Sequence, residues 1–219
     1  MRRISIISLF PQFVRAYLEV GMLAKAAGRQ IVEFHAVDLR RFGIGPRKQV
    51  DDTPYGGGGG MILRIEPLVA AIEAAQEPSK GSAQVVLLTP RGKTFEQADA
   101  QALADSDRDL ILVGGRYEGY DERLVEWTDH QFSIGRYVLT GAELPALVIA
   151  DSVVRLLDGV LGNPDGAVNE SFSGSAAVEY PQYTKPETFR DRAVPKILLS
   201  GNHGEIAAWR QEQSDRFEL

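Results

Sequence analysis

Four polar residues in the second half of the chain have side chains that could support acid–base chemistry: Asp151, Arg155, Glu170 and Ser171. A carboxylate on a loop could remove a proton from a bound base once that loop closes. An arginine could fix a carbonyl oxygen and stabilise the negative charge that develops on it. The same residue types would also suit an ion pair on a helix surface, so both interpretations stay open on these residues alone.

A run of five consecutive glycines lies within residues 51–61, DDTPYGGGGGM. Each glycine would cost about 0.5–1 kcal/mol inside a helix or strand, so the run indicates irregular backbone. Such backbone either approaches a ligand closely or forms a flexible linker. The flanking Asp51, Pro54 and Tyr55 favour the first interpretation, and no Gly-Lys-Ser/Thr sequence follows that would make a phosphate-binding P-loop.

Three other motifs follow short apolar runs that are typical of buried strands. They are TPRGKTFEQ at 89–97, VGGRYEGYDER at 113–123 and SIGRYVLTGAELPA at 133–146. Ligands of open α/β sheets bind at the carboxyl ends of strands, so we expect these loops to line one pocket. The third motif would give a partly apolar wall for a flat heteroaromatic ring, or it is an ordinary junction between a strand and a helix.

The elements that must position these motifs alternate between strands and helices. Apolar runs predict strands at 4–9, 31–37, 85–88, 110–113 and 131–134, and Thr89-Pro90 should end the third of them. Helical periodicity predicts helices at 12–27, 67–75, 95–104, 121–127, 143–157 and near 203–213. This alternation predicts an α/β fold with a parallel sheet that helices cover on both faces.

The residues from 159 to about 175 are rich in Gly, Asn, Asp and Ser and lack periodicity, which is typical of a mobile linker. We therefore predict a catalytic domain at 1–160, a linker at 161–175 that carries Glu170, and a short C-terminal segment at 176–219. That segment is too small to bury much of a core by itself.

The charge of the chain is unevenly distributed. The first 50 residues contain nine Arg or Lys and three Asp or Glu, which gives them a net charge of +6 within a chain of −6. This basic end could meet phosphates, or it could be a solvated face.

The composition excludes several classes of site. The absence of cysteine rules out disulfides, thiolate zinc sites and cysteine nucleophiles, and the three histidines have no metal-ligand spacing. No apolar run approaches the length of a membrane span, and Pro11 interrupts the only stretch that resembles a signal peptide, so we expect a cytoplasmic protein.

The motifs, taken in order from Ile6 to Arg210, resemble the bacterial tRNA (guanine-N1)-methyltransferase family. The sequences that carry the resemblance are DDTPYGGGGGM, GRYEGYDER, SIG-YVLTG-ELPA, EYPQYTKP and LLSGNH. The resemblance implies methyl transfer from S-adenosylmethionine to N1 of the guanosine at tRNA position 37, which follows another guanosine. It also implies the deep trefoil knot of the SPOUT superfamily in the parallel sheet, an obligate homodimer whose active sites are each completed by both subunits, and a possible dependence on magnesium.

Site residues are implied by the same resemblance. Glu170 occupies the position of the family's general base, and Arg155 that of the arginine that contacts the base oxygen. The donor-binding loops correspond to 88–92, 114–118 and 134–142. The implied donor-binding residues are Leu88, Pro90, Gly92, Gly114, Gly115, Tyr117, Glu118, Ile134, Gly135, Tyr137, Leu139, Gly141, Ala142 and Ala146.

The chain departs from the family pattern at several positions. Arg136 and Glu170 stand where the family usually has Asp, Ala142 where it has Gly, and Asp158 where it has Pro. The sequence also stops at Leu219, before a basic helical segment that normally helps to grip tRNA. Two alternatives therefore stay open: a catalytically weakened RNA-binding relative of the same fold, and a knotted methyltransferase that acts on a different RNA atom.

Overall fold

A five-stranded parallel sheet forms the centre of the fold in the computed structural model, which describes residues 1–162, 171–172 and 178–216. Its strands are β1 (Arg2–Ser8), β2 (Val32–Asp38), β5 (Gln84–Thr94), β6 (Leu110–Gly114) and β7 (His130–Ser133), in the spatial order β2-β1-β6-β5-β7. Two short strands, β3 (Asp51–Asp52) and β4 (Ile62–Leu63), pair antiparallel outside this sheet. The predicted α/β fold with a parallel sheet is confirmed.

The helices are α1 (Pro11–Leu18), α2 (Gly21–Gly28), α3 (Ile65–Gln76), α4 (Gln97–Asp105), α5 (Glu143–Val154) and α6 (His203–Asp215). The prediction of one helix over 12–27 is wrong, because α1 ends at Leu18 and a new helix begins at Gly21. Val20 is extended and Gly21 has a φ of +64°, a combination that interrupts the helical hydrogen bonds. None of the helices in the described ranges is long and apolar enough to cross a membrane.

Strand β5 extends well past the point at which the sequence predicted its end. Residues 84–88 pair with β6 on one side, and residues 86–88 also pair with β7 on the other. After an irregularity Lys93 and Thr94 pair with Phe132 and Ser133. Thr89-Pro90 therefore marks this irregularity rather than the end of the strand. Proline is tolerated where ladder hydrogen bonds are already interrupted.

Alternate residues of the central strands face two separate apolar clusters. Val86 and Leu112 pack with α1, α2, α4 and α5 on one face of the sheet. Leu87 and Val113 pack with α3 and with short 3-10 turns at Leu39–Phe42 and Glu122–Trp127 on the other face. Because successive side chains of each strand face opposite sides of the sheet, the fold has three layers. Because the strands are parallel, the strand ends that carry the motifs lie at one edge of the sheet.

The chain divides into a unit of residues 1–162 and a second unit of residues 163–219. Within the second unit, β8 (Thr188–Phe189) and β9 (Arg192–Ala193) form a small hairpin, followed by α6. The Asn202 side chain caps α6 by accepting a hydrogen bond from the backbone nitrogen of Glu205 at 3.4 Å. Most of the predicted linker, including Glu170, lies outside the described residues.

Candidate functional site

A pocket opens at the carboxyl edge of the sheet. Its walls are the outer part of β5 and the loops that follow β6 and β7, which are the three motifs expected to meet there. Eleven of the proposed donor-binding residues line it: Leu88, Pro90, Gly115, Tyr117, Glu118, Ile134, Gly135, Tyr137, Leu139, Gly141 and Ala142.

Two glycines allow the pocket walls to pack against each other. A Cβ atom on Gly114 would lie 2.3 Å from the Cβ of Ala142 and 2.8 Å from the carbonyl oxygen of Leu88. A Cβ on Gly141 would lie 2.4 Å from Nε of Arg116. Any side chain at these positions would force the walls apart, so glycine here fixes the shape of the pocket.

A buried carboxylate stands behind the pocket at the start of α5. Oε1 of Glu143 accepts a hydrogen bond of 2.9 Å from the Ser8 hydroxyl, and Oε2 lies 3.2 Å from Nε of Arg116. The guanidinium of Arg116 also stacks on the Phe10 ring at 4.5 Å. Glu143 is stabilised by this cation and by the positive end of the helix dipole, and it ties the loop after β6 to β1 and α5.

Sequence reasoning missed this group because its members come from three distant motifs. The sequence predicts Glu143 only as the start of a helix, and the fold alone brings Arg116 and Ser8 to its carboxylate. One sequence signal could have indicated this group. Glu143 is a charged residue at the first position of a helix whose sequence is otherwise apolar and buried.

The rim of the pocket is partly apolar and accessible. The side chains of Tyr117, Tyr137 and Leu139 are between two and three fifths exposed there, and Val138 is almost fully exposed. Tyr117 adopts a φ of +59°, which turns the loop after β6 sharply at the pocket. This surface can cover a flat ring while the backbone groups of the loops remain available to its edges.

Three other proposed donor-binding residues lie around the pocket rather than on its surface. Gly92 lines a neighbouring groove together with Arg136, Gly114 borders a small cavity behind the wall, and Ala146 is buried on the inner face of α5. Their proposed roles stay predictions. Arg136, the charge reversal noted above, is exposed beside this groove.

The glycine segment, residues 56–60, is joined to the pocket at its last residue. A Cβ on Gly60 would lie 2.4 Å from Cγ of Glu118, a pocket residue, and the Glu118 nitrogen donates a 3.0 Å hydrogen bond to the carbonyl oxygen of Met61. Leu63 then exchanges backbone hydrogen bonds of 3.0 Å with Gly119 and Asp121. The structure therefore brings two of the predicted motifs into contact.

The other glycines of the segment have open surroundings. A Cβ atom on Gly56, Gly57, Gly58 or Gly59 would meet nothing within 4 Å. The base of the segment is fixed by Arg64, which pairs with Asp52 at 3.1 Å and with Glu66 at 3.0 Å and thereby lowers the pKa of Glu66. An open loop on a fixed base is suited to closing over a ligand.

The loop after β6 is held at its far end by Asp121. This carboxylate accepts hydrogen bonds from Arg123, 2.7 Å to the guanidinium and 3.0 Å to the backbone nitrogen, which lower its pKa. The pairing begins the 3-10 turn Glu122–Trp127 and so ends the pocket loop at a defined place.

Two of the predicted acid–base residues, Asp151 and Arg155, lie on or at the end of α5 and do not line the pocket within one chain. Glu143 lies beside the pocket at the first residue of α5, whereas Arg155 caps the other end of this helix of 12 residues. At a rise of 1.5 Å per residue the helix places the two ends about 18 Å apart. Asp151 binds the Tyr17 hydroxyl at 2.6 Å, which raises the pKa of Tyr17, and the Ser171 hydroxyl accepts a hydrogen bond from the nitrogen of Glu179.

An exposed apolar stripe runs along α1 and α5 beside the pocket. Phe10, Phe13 and Tyr17 follow the helical spacing of α1, and Leu144 and Val148 do so on α5; each of these side chains is two fifths to one half exposed. Phe10, Phe13 and Leu144 share one groove with the pocket residues Val138 and Leu139. Contiguous apolar surface of this kind marks an interaction site.

Comparison with known proteins relates this geometry to a family. The model of the family described as tRNA (Guanine-1)-methyltransferase TrmD matches residues 1–217. The chain belongs to this family. Among its relatives, the tRNA (guanine-N(1)-)-methyltransferase of Geobacillus kaustophilus is 49% identical over 216 residues, which is 98% of this chain and 87% of the relative. That of Myxococcus xanthus is 47% identical over 96% of this chain and 85% of the relative.

A solved structure agrees with the sequence comparisons. The crystal structure of the tRNA (m1G37) methyltransferase from Aquifex aeolicus superimposes with a TM-score of 0.79 at 36% identity, and the match covers 95% of this chain and 87% of that one. The resemblance stated from the motifs is thus confirmed over nearly the whole chain.

Proposed function

We propose that this protein transfers a methyl group from S-adenosylmethionine to N1 of a guanosine in tRNA, at position 37. The observation that carries the proposal is the pocket at the strand ends, which is lined by eleven of the residues that the family resemblance implies for donor binding. The names of the relatives supply the acceptor, a guanine of tRNA, and the Aquifex protein supplies the position.

The donor pocket is suited to S-adenosylmethionine because its walls combine an apolar surface with glycine-rich backbone. Leu88, Ile134 and Leu139 can cover the adenine ring, and the peptide groups of the three loops can read its edges. Glu118 offers a carboxylate to the hydroxyl or amino groups of the donor. The contacts behind the wall hold this shape without the ligand, which lowers the entropic cost of binding.

The acceptor chemistry needs a base, since the lone pair of neutral guanine N1 is unavailable while the proton is present. We propose that the carboxylate of Glu170 removes this proton from N1. The freed N1 electron pair attacks the methyl carbon, the bond from carbon to sulfur breaks, and the products are 1-methylguanosine and S-adenosylhomocysteine. Arg155 would stabilise the negative charge that builds on the base oxygen. The base must leave its stack to reach the pocket.

We propose that the active unit is a homodimer. Two features support this assembly: Arg155 lies about 18 Å along α5 from the pocket, and the apolar stripe of α1 and α5 begins at the pocket rim. A second copy packed on this stripe would bury it and could bring its own acceptor groups to the donor. Each active site would then contain residues of both chains.

Three further properties that the family resemblance implies complete the proposal. They are the trefoil knot in the pocket region, a cytoplasmic location where tRNA is processed, and a dependence on magnesium. Among the described residues no group of three or more His, Cys, Asp or Glu could hold a metal ion. We therefore assign no ligands to magnesium and route no step through it.

Product mapping tests the function. The protein is incubated with methyl-labelled donor and two tRNA transcripts that differ only in guanosine or adenosine at position 37, and the labelled nucleoside is identified after digestion. We expect 1-methylguanosine from the first transcript alone. A different labelled nucleoside would favour a methyltransferase for another RNA atom, and binding without transfer would favour the catalytically weakened relative; either result overturns the proposal.

A further inference from the structure

Four cations without partners lie close together in one small part of the described surface. Residues 39–49, here called the basic hairpin, contain Arg40, Arg41, Arg47 and Lys48, all exposed. Among the described residues none of these four side chains has an ion-pair or hydrogen-bond partner. Seven other Arg or Lys side chains, in contrast, pair with described carboxylates: Arg3, Arg64, Arg91, Lys93, Arg116, Arg123 and Arg216.

The basic hairpin has a defined conformation. It begins with the 3-10 turn Leu39–Phe42, where Oδ1 of Asp38 accepts a 3.0 Å hydrogen bond from the nitrogen of Arg40. Ile44 and Gln49 exchange two backbone hydrogen bonds of 2.8 and 3.0 Å. Gly43 packs so closely that a Cβ there would lie 2.2 Å from the carbonyl oxygen of Lys48. The tip therefore presents Arg47 and Lys48 on a closed turn.

The basic hairpin lies at the same edge of the sheet as the donor pocket. It follows β2, whose carboxyl end is in register with that of β1 at Ser8. Leu39, its buried anchor, lines the small cavity behind the pocket together with Leu63 and Gly114. Beyond the hairpin, the carbonyl oxygen of Val50 accepts a 2.8 Å hydrogen bond from Arg64, which fixes the base of the glycine segment.

Exposed cations on a rigid loop, at the edge where the reaction takes place, match the repeating negative charge of a nucleic acid backbone. Arg and Lys contacts to phosphates position the nucleic acid without reading its sequence, and they make its affinity dependent on salt. The net charge of −6 on the whole chain means that this positive surface is local. Because the chain as a whole is negatively charged, long-range attraction to RNA cannot substitute for contacts made by this local surface.

We infer that the basic hairpin contacts the phosphodiester backbone of the tRNA near the target guanosine. This inference rests on the proposed function, because it takes the tRNA as substrate. The pocket and the hairpin would have different roles. The pocket would bind the methyl donor, and the hairpin would hold the RNA strand so that the target base can enter the pocket. An acidic protein or an anionic lipid surface would be a different partner, and the test separates them.

The test compares two double charge reversals. Arg47→Glu/Lys48→Glu changes the hairpin tip, and Lys25→Glu/Lys80→Glu makes the same change of charge at two exposed lysines remote from the hairpin, one in the last turn of α2 and one just before β5. Binding of an unmodified tRNA transcript is measured from low to moderate salt. Donor binding is measured by titration with S-adenosylhomocysteine, and folding by thermal unfolding.

We expect the hairpin variant to bind tRNA at least about tenfold more weakly at moderate salt. The slope of log affinity against log salt should become shallower by roughly 1–2, since each lost phosphate contact reduces it by about 0.7–0.9. Donor binding should be unchanged, saturating tRNA should restore most of the turnover, and the lysine control should behave like the parent. Arg47→Ala/Lys48→Ala should weaken tRNA binding in the same direction but by less. This variant replaces the charge reversal if Arg47→Glu/Lys48→Glu does not fold.

Unchanged tRNA affinity and salt slope in both hairpin variants would overturn the inference. So would an equal loss in the lysine control, or a selective loss of binding to anionic vesicles or polyglutamate while tRNA binding persists. If the parent itself transferred no methyl group to tRNA, the proposed function would fail instead, so the two failures are distinguishable.

Discussion

The pocket walls and the glycine segment both contain glycines, yet the surroundings of these glycines are opposite. At Gly114 and Gly141 an added Cβ would meet other atoms at 2.3–2.8 Å, whereas at Gly56, Gly57 and Gly59 it would meet nothing within 4 Å. Glycine in the walls allows close packing, and glycine in the segment allows movement. The proposed donor pocket is therefore held in shape by packing, while the glycine segment keeps the freedom to move over a ligand.

The two sides also differ in how much of the site one chain supplies. The proposed donor pocket lies within the first unit and is fixed by Glu143, Arg116 and Ser8. Arg155, which we propose to contact the acceptor base, is at the far end of α5. A small donor fits a cleft between strand ends. A tRNA spans a larger surface, so we expect residues in several parts of the protein to recognise the tRNA.

The largest expected effect separates chemistry from donor binding. Glu170→Gln should lower turnover by about 10²–10⁴-fold, because the amide cannot accept the N1 proton, and should leave donor affinity within twofold. Single-turnover methylation of a tRNA transcript and S-adenosylhomocysteine titration measure the two quantities. Glu187→Gln, an exposed position in the second unit, is the matched control. Normal turnover in Glu170→Gln would remove this residue from the chemistry.

A smaller effect is expected when the packed wall is disturbed. Gly114→Ala would place a methyl group against Ala142 and Leu88, at a cost of about 1–3 kcal/mol, so donor affinity should fall by roughly tenfold or more. Gly59→Ala, which has open surroundings and no positive φ, should leave donor affinity unchanged. If both variants bound S-adenosylhomocysteine equally well, the contrast between walls and segment would be lost.

The junction of the two regions, Gly60 against Glu118, gives an intermediate case. Gly60 and Gly56 have nearly the same φ, +85° and +86°, so an alanine at either position carries similar backbone strain. Only Gly60→Ala would also displace Glu118 from the pocket. We therefore expect Gly60→Ala to weaken donor binding several-fold and Gly56→Ala to affect mainly the KM for tRNA. Equal donor affinities in the two variants would mean that the glycine segment and the pocket are independent.

The smallest effect concerns the end of the pocket loop. The hydrogen bonds from Arg123 hold the pKa of Asp121 below its ordinary value of 3.8, so they stabilise the folded state fully above that pH. This contribution is lost as the pH falls through the lowered pKa. Asp121→Asn should cost at most about 1 kcal/mol at neutral pH, since Arg123 is largely exposed, and the difference from the parent should vanish in acid. Urea unfolding at several pH values would measure it, and a difference that persisted in acid would contradict this cause.

The sequence predicted the layered fold and the meeting of the three loops because both depend on local periodicity and on a general rule for strand ends. It missed the break before Gly21, since Phe13, Tyr17 and Leu18 keep a helical spacing up to the break. It also ended β5 too early, because the pairing of Lys93 with Phe132 depends on another strand.

The site was only partly predictable for a similar reason. The family resemblance predicts that Gly114 and Ala146 bind the donor, but only packing shows that one borders a cavity behind the pocket wall and the other lies in the core. The link from Glu143 to Arg116 and Ser8 joins residues up to 135 positions apart, and no local pattern encodes it. Arg155 stands four residues after Asp151 in the sequence, yet its distance from the pocket follows from the direction of α5.

The central claim is that the donor pocket of one chain works with acceptor groups of a second. Mixing Gly114→Ala, which weakens the pocket, with Glu170→Gln, which removes the base, tests it directly. In a mixed dimer the pocket of the Glu170→Gln chain would face the intact Glu170 of its partner, so we predict that methylation of the tRNA transcript recovers to a substantial fraction of the parent level. Activity that stays at the level of the two separate variants, in mixtures in which mixed dimers are demonstrated, would contradict the account.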